Sequence, residues 1–139
     1  TLFKLGAGDI TVSFESSFKN FEMLNFNKGF IGYGFLPLMQ MRTCPAQTKQ
    51  GCANCTGLTA IVDRKNISFT LMCNEKKYTT LLNSLPLYVL DQETPYSDFI
   101  TILFTKESKN EAISIAKSIL SKKPLMGERT KGLYYKTLR

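Results

Sequence analysis

A chain of 139 residues is long enough for one domain with its own core, and no run approaches the ~20 apolar residues of a bilayer-spanning helix, so a cytoplasmic protein without a membrane segment is expected. There is no histidine, which excludes Ser-His-Asp and Cys-His catalysis and every His-containing metal site within this segment. The net charge of +7 is concentrated at one end: residues 105–139 hold nine Lys/Arg against three Asp/Glu, a net of +6, and residues 1–104 hold nine against eight, a net of +1.

In chain order, residues 10–14 (ITVSF) read as a short strand. Residues 16–25 carry Phe18, Phe21 and Leu24 three apart, the apolar face of a short helix closed by Asn25, Asn27 and Gly29. Residues 30–34 return as a strand, with Gly32 and Gly34 open to close approach. Pro37-Leu38-Met39 begins an apolar run stopped by Arg42-Thr43-Cys44-Pro45, and residues 46–57 form a polar loop. Residues 58–62 and 67–73 flank the turn-like Asp63-Arg64-Lys65-Asn66 and predict a β-hairpin. Residues 78–82 and 87–90 bracket Asn83-Ser84-Leu85-Pro86, and residues 99–104 (FITILF) form a continuous run of buried-strand type.

Residues 106–121 give the clearest helix, with Ala112, Ile113, Ala116, Ile119 and Leu120 on one face. Thr105 is one candidate cap, and Ser108-Lys109-Asn110-Glu111 offers a capping box as the alternative. Residues 125–139 read as extended surface chain. The arrangement predicts an α/β fold: the C-terminal part of a β/α barrel-like domain with a β-rich, cysteine-containing insert. Barrels of that kind build their sites at such inserts. The chain, 1–139, reads as a single domain fragment with residues 44–90 as the insert.

All four cysteines, Cys44, Cys52, Cys55 and Cys73, fall in residues 33–84. The Cys52-x-x-Cys55 pair places two sulfurs on one turn, and two more from separate segments complete a four-sulfur shell for an iron–sulfur cluster or for zinc. Two disulfides and buried reduced thiols are the competing readings. Cys44 before Pro45 and Cys52 after Gly51 sit outside apolar runs and suit core packing poorly, whereas Cys73 ends one. Folding back through a turn at Gly51 would bring Cys44 to Cys52, and hairpin pairing would return Cys73 towards Cys55.

YGFLPLM, the four cysteines, DRKN, LLNSLPLYVLD and GERTKGLYY together resemble the collagenase-like peptidase family, of unknown catalytic type and numbered U-thirty-two. The resemblance runs from about Ile10 to Tyr135. Two positions depart from the usual forms: Gly34-Phe35 stands for Gly-Arg, and Asn66 for Gly. The resemblance implies a longer protein with preceding β/α units. It also implies one of two activities, collagen-degrading peptidase or iron–sulfur protein acting in hydroxylation of RNA bases or ubiquinone precursors. Cys44, Cys52, Cys55 and Cys73 would then ligate a 4Fe–4S cluster, zinc being the alternative.

Three functions follow: an iron–sulfur enzyme segment, a peptidase segment drawing on Asp63, Glu15, Lys65 or groups elsewhere, and a zinc-stapled module without catalysis. Asp63, Arg64 and Asn83 are the candidate catalytic residues; their structural reading is a turn with a surface ion pair and a turn or cap. Expected partners are the rest of the polypeptide, a second copy covering open strand edges, and RNA. The RNA would meet the basic end, where Tyr134 and Tyr135 accompany Lys131, Lys136 and Arg139.

Overall fold

The computed structural model describes residues 3–47, 52 and 55–136. It corrects the expected β/α barrel: the described residues form two four-stranded sheets with two short helices, and no barrel closes. A barrel needs a crossover helix between successive parallel strands. Here the stripe at Phe18, Phe21 and Leu24 yields only a four-residue helix, α1 (Phe18–Phe21), and the strands from β3 to β6 form an antiparallel sheet of their own. The chain divides into two compact units, Thr1–Gly34 with Leu87–Arg139, and Phe35–Pro86.

In the first unit, β2 (Lys28–Gly34) is the central strand and is buried on both faces. It pairs in parallel with β8 (Phe99–Leu103) along its length and with β1 (Ile10–Thr11) at its start, and antiparallel with β7 (Leu87–Tyr88) at its end. Gly29 is required here, because a Cβ would lie 2.7 Å from the Phe99 carbonyl oxygen. The core is aromatic. Tyr134 stacks on Phe18 with ring centroids 4.4 Å apart and planes 5° apart, and Phe30 meets Phe18 edge-on at 5.1 Å. Such pairs add roughly 0.5–1.5 kcal/mol each beyond area burial. Tyr134 is 1% exposed, so the segment expected on the surface instead inserts a core ring. Its position is held by the Phe18 amide donating to the Tyr134 carbonyl at 2.9 Å and the Ile31 amide donating to its hydroxyl at 3.0 Å.

The C-terminal helix, α2, spans Lys109–Leu120, and Ser108 rather than Thr105 caps it. Ser108 and Glu111 form the reciprocal capping box. The predicted apolar stripe is present but not buried: Ile113 is 44% exposed and Leu120 84%. No described helix is long and apolar enough to cross a membrane.

The second unit is an antiparallel sheet in the order β3 (Pro37–Met41), β6 (Tyr78–Leu82), β5 (Ser68–Asn74), β4 (Leu58–Val62). β4 and β6 match the sequence reading at both ends. The β4–β5 turn is closed by Asp63, whose Oδ1 accepts from the amides of Lys65 at 2.7 Å and Ile67 at 2.9 Å, while Asn66 adopts φ +61. The β5–β6 turn has positive φ at two consecutive side-chain-bearing residues, Glu75 (+51) and Lys76 (+60), and Lys77 donates to the Asn74 carbonyl at 2.9 Å. This is the φ signature of a type I′ turn, whose twist suits a hairpin but whose usual residues are Asn-Gly.

Candidate metal centre

The cysteines gather at the end of the antiparallel sheet where β5 finishes. Cys73 is in β5, beside Thr79 of β6 in the register and two residues from the β5–β6 turn. Cys44 follows β3, whose Met41 pairs with the same Thr79. Cys44, Cys52 and Cys73 line one pocket of about 130 Å³, and Cys52, Cys55 and Cys73 line an adjoining one. None of the four is in a disulfide; Cys55 is exposed and the others are partly buried.

Two local devices shape this end. The Cys55 amide donates to the Cys52 carbonyl at 3.3 Å, closing the CxxC segment into a turn. Gly57 joins that turn to β5: its amide donates to Cys55 Sγ at 3.4 Å and its carbonyl accepts from the Cys73 amide at 2.7 Å. Gly57 has φ +87, a conformation that an L side chain rarely adopts. Hydrogen bonds to sulfur of this kind tune thiolate ligands and the potentials of clusters they hold. Gly51, the expected fold-back point, lies outside the described residues.

The donor chemistry suits a thiolate-held centre: four sulfurs from three segments share neighbouring surfaces, and no imidazole exists in the chain to compete. The spacing is wider than one coordination shell, since among the described residues no three Cys, Asp or Glu side chains group closely enough to hold a metal ion. Arg42 and Lys76 stand on the first pocket with the hydroxyls of Thr43, Tyr78 and Thr79. Neither these two cations nor Gly57 stood out in the sequence; the available signals were a glycine two residues past the CxxC and a short connection after Cys73.

The other candidates lie elsewhere. Asp63 and Arg64 occupy the β4–β5 turn at the opposite end of β5, roughly 17 Å from Cys73 at the ~3.4 Å rise of a strand. The Asp63 carboxylate serves that turn, and Arg64 is exposed. Asn83 follows β6 at the same distal end, its amide donating to the Leu36 carbonyl at 2.8 Å. The structure therefore places the thiols at one end of the antiparallel sheet, short of the expected convergence on a single centre, and leaves Asp63, Arg64 and Asn83 at the other end.

The first unit carries two polar clusters of its own. The Tyr33 hydroxyl donates to Glu107 Oε1 at 2.6 Å, while Glu107 Oε2 accepts from the amides of Thr105 and Lys106. Burial, followed by the Glu107 carboxylate, pushes the Tyr33 phenol well above its ordinary range. Arg129 pairs with Asp91 and donates to the Leu125 carbonyl at 3.0 Å. Burial, then Asp91, raises the Tyr88 phenol beside them. At the basic end, Lys131 donates to Gln92 at 2.8 Å and the Tyr135 hydroxyl to the Glu93 carbonyl at 2.9 Å; Tyr134 is in the core.

Comparison with protein-family models, with curated proteins and with solved structures finds no match for this chain.

Proposed function

We propose that this chain carries a four-thiolate metal centre with Cys44, Cys52, Cys55 and Cys73 as ligands, iron–sulfur in type, and that it forms part of a longer enzyme hydroxylating RNA bases or quinone precursors. The observation that carries the reading is the gathering of all four thiols on two adjoining pockets that share Cys52 and Cys73. A bound 4Fe–4S cluster would supply one-electron chemistry. The chain's own residues would hold it and set its surroundings: Gly57 donates to Cys55 Sγ, and Arg42 and Lys76 offset the negative charge of a thiolate shell. Zinc in the same ligand set, without catalysis, is the second reading, supported by the same sulfurs and the absence of histidine. The peptidase reading draws least support, because the Asp63 carboxylate already serves its own turn.

RNA contact, if the substrate is RNA, would draw on the lysines of α2 and the segment after it, Lys109, Lys117, Lys122 and Lys123, more than on Tyr134. The test is anaerobic reconstitution with iron and sulfide, read by absorbance, metal analysis and electron paramagnetic resonance. A brown protein with about four irons per chain, lost in Cys52→Ser and Cys73→Ser, is the expected result. Stoichiometric zinc with no iron uptake selects the zinc staple. Equal, substoichiometric metal in the wild type and both variants overturns the centre.

A further inference from the structure

The pocket lined by Cys44, Cys52 and Cys73 is also cationic. Its remaining lining is Arg42, Lys76, Thr43, Gln47, Tyr78 and Thr79: two cations and four hydroxyl or amide donors, with no carboxylate. Glu75, the residue before Lys76, is paired with Lys77 at 2.7 Å rather than with Lys76. The pocket measures about 130 Å³, room for one compact anionic group with its hydration.

The turn that presents Lys76 is an independent observation. Glu75 and Lys76 both hold left-handed backbone conformations, at φ +51 and +60. Asn-Gly would relieve that strain in a turn of this type, but would remove the cation. Strain retained at the rim of a pocket points to the side chain it positions.

We propose that this pocket binds a phosphate group, free or carried on a nucleotide, against the sulfur side of the sheet. A tetrahedral oxyanion offers acceptors in several directions and matches the planar guanidinium fork of Arg42, the point charge of Lys76 and the surrounding hydroxyls. The site uses no thiol as a ligand, but Cys44, Cys52 and Cys73 line the same pocket, so phosphate and a metal centre would compete for it and the titration uses the metal-free chain.

The test is a titration of the whole isotope-labelled chain with inorganic phosphate at constant ionic strength, followed by amide chemical shifts, with chloride as control. Saturable shifts confined to Thr43, Gln47, Lys76, Tyr78 and Thr79 are expected. Lys76→Gly should weaken phosphate about tenfold, the loss of one charge-assisted contact, and Lys76→Arg should retain it. Glycine relaxes the φ +60 position, so Lys76→Gly should raise Tm while losing the anion, which separates lost binding from lost folding. Adenosine monophosphate binding about tenfold tighter than phosphate identifies a nucleotide, whereas equal affinities identify free phosphate. Shifts that fail to saturate, that chloride reproduces, or that survive Lys76→Gly undiminished overturn the site.

Discussion

The Gly57 carbonyl accepts the Cys73 amide at 2.7 Å, so a single left-handed glycine ties the CxxC turn to the end of β5. A Cβ at Gly57 would meet nothing within 4 Å, so space is no obstacle; the φ of +87 is. Gly57→Ala should cost about 1–2 kcal/mol in urea unfolding and should weaken metal retention. Gly57→Asn, which tolerates this region better, should fall between alanine and wild type. Equal stability of all three would remove the conformational role assigned to this glycine.

Lys28 supports the first unit from within. At 8% exposure, its ammonium donates to the carbonyls of Phe21 at 3.0 Å and Leu24 at 2.6 Å and sits 5.1 Å from the Phe21 ring centroid. The four residues of α1 are too few to be stable alone, and the lysine ties their end to β2; the Phe21 carbonyl also accepts from the Leu24 amide at 3.2 Å. Lys28→Met fills similar volume but leaves both acceptors without that donor. A loss of about 2–3 kcal/mol is expected, with a weakened near-ultraviolet dichroism signal from the aromatic core. A change below about 0.5 kcal/mol would make the two hydrogen bonds energetically idle.

Alkaline stability should report on Tyr134. Burial pushes its phenol from the ordinary 10.0 up to about 12, partly opposed by the donating Ile31 amide. The folded state therefore holds its proton more tightly than the unfolded state. The corresponding stability is complete below pH 10 and is lost as pH rises from 10 towards 12. Tyr134→Phe should flatten the decline over that window, although buried Tyr33, raised in the same direction, will leave some slope. Unfolding midpoints measured from pH 9 to 12 that fall in parallel for both proteins would contradict the assignment.

The Glu75–Lys76 turn makes a prediction of the opposite sign. Glu75→Asn gives up an ion pair with Lys77 whose two side chains are 79% and 73% exposed, a pair worth little. It places at φ +51 a residue suited to that conformation. Thermal unfolding should show a gain of about 1 kcal/mol, and a loss of that size would mean that the ion pair outweighs the strain.

Local features were legible in the sequence where neighbouring residues decide the structure. The bounds of β4 and β6, the Asp63 turn and the Ser108–Glu111 capping box all follow from turn and cap chemistry within a few residues. The architecture was not, because β2 takes two parallel partners 18 and about 70 residues distant and an antiparallel one about 54 residues distant. A strand run with the stripe Phe18, Phe21 and Leu24 before it looks the same in sequence whether or not a crossover helix forms. Tyr134 was misplaced because its neighbours Lys131, Gly132 and Lys136 read as surface, while its ring is held by Phe18. The place of Cys73 near the end of a hairpin strand follows from the hairpin reading, but the positive φ at Gly57, Glu75 and Lys76 leaves little compositional trace.

The segment Phe35–Pro86 begins and ends at neighbouring points. Pro37 faces Leu82 in the β3–β6 register, and the Asn83 amide meets the Leu36 carbonyl. The residues flanking it, Gly34 and Leu87, are themselves direct partners across β2 and β7. Removing the whole segment would leave two antiparallel strand ends that a two-residue Asn-Gly loop can join. The sulfur-bearing sheet thus has the connectivity of a transferable cassette: it can be lifted from its host strands, lost, or grafted into another hairpin without rerouting the chain that carries it.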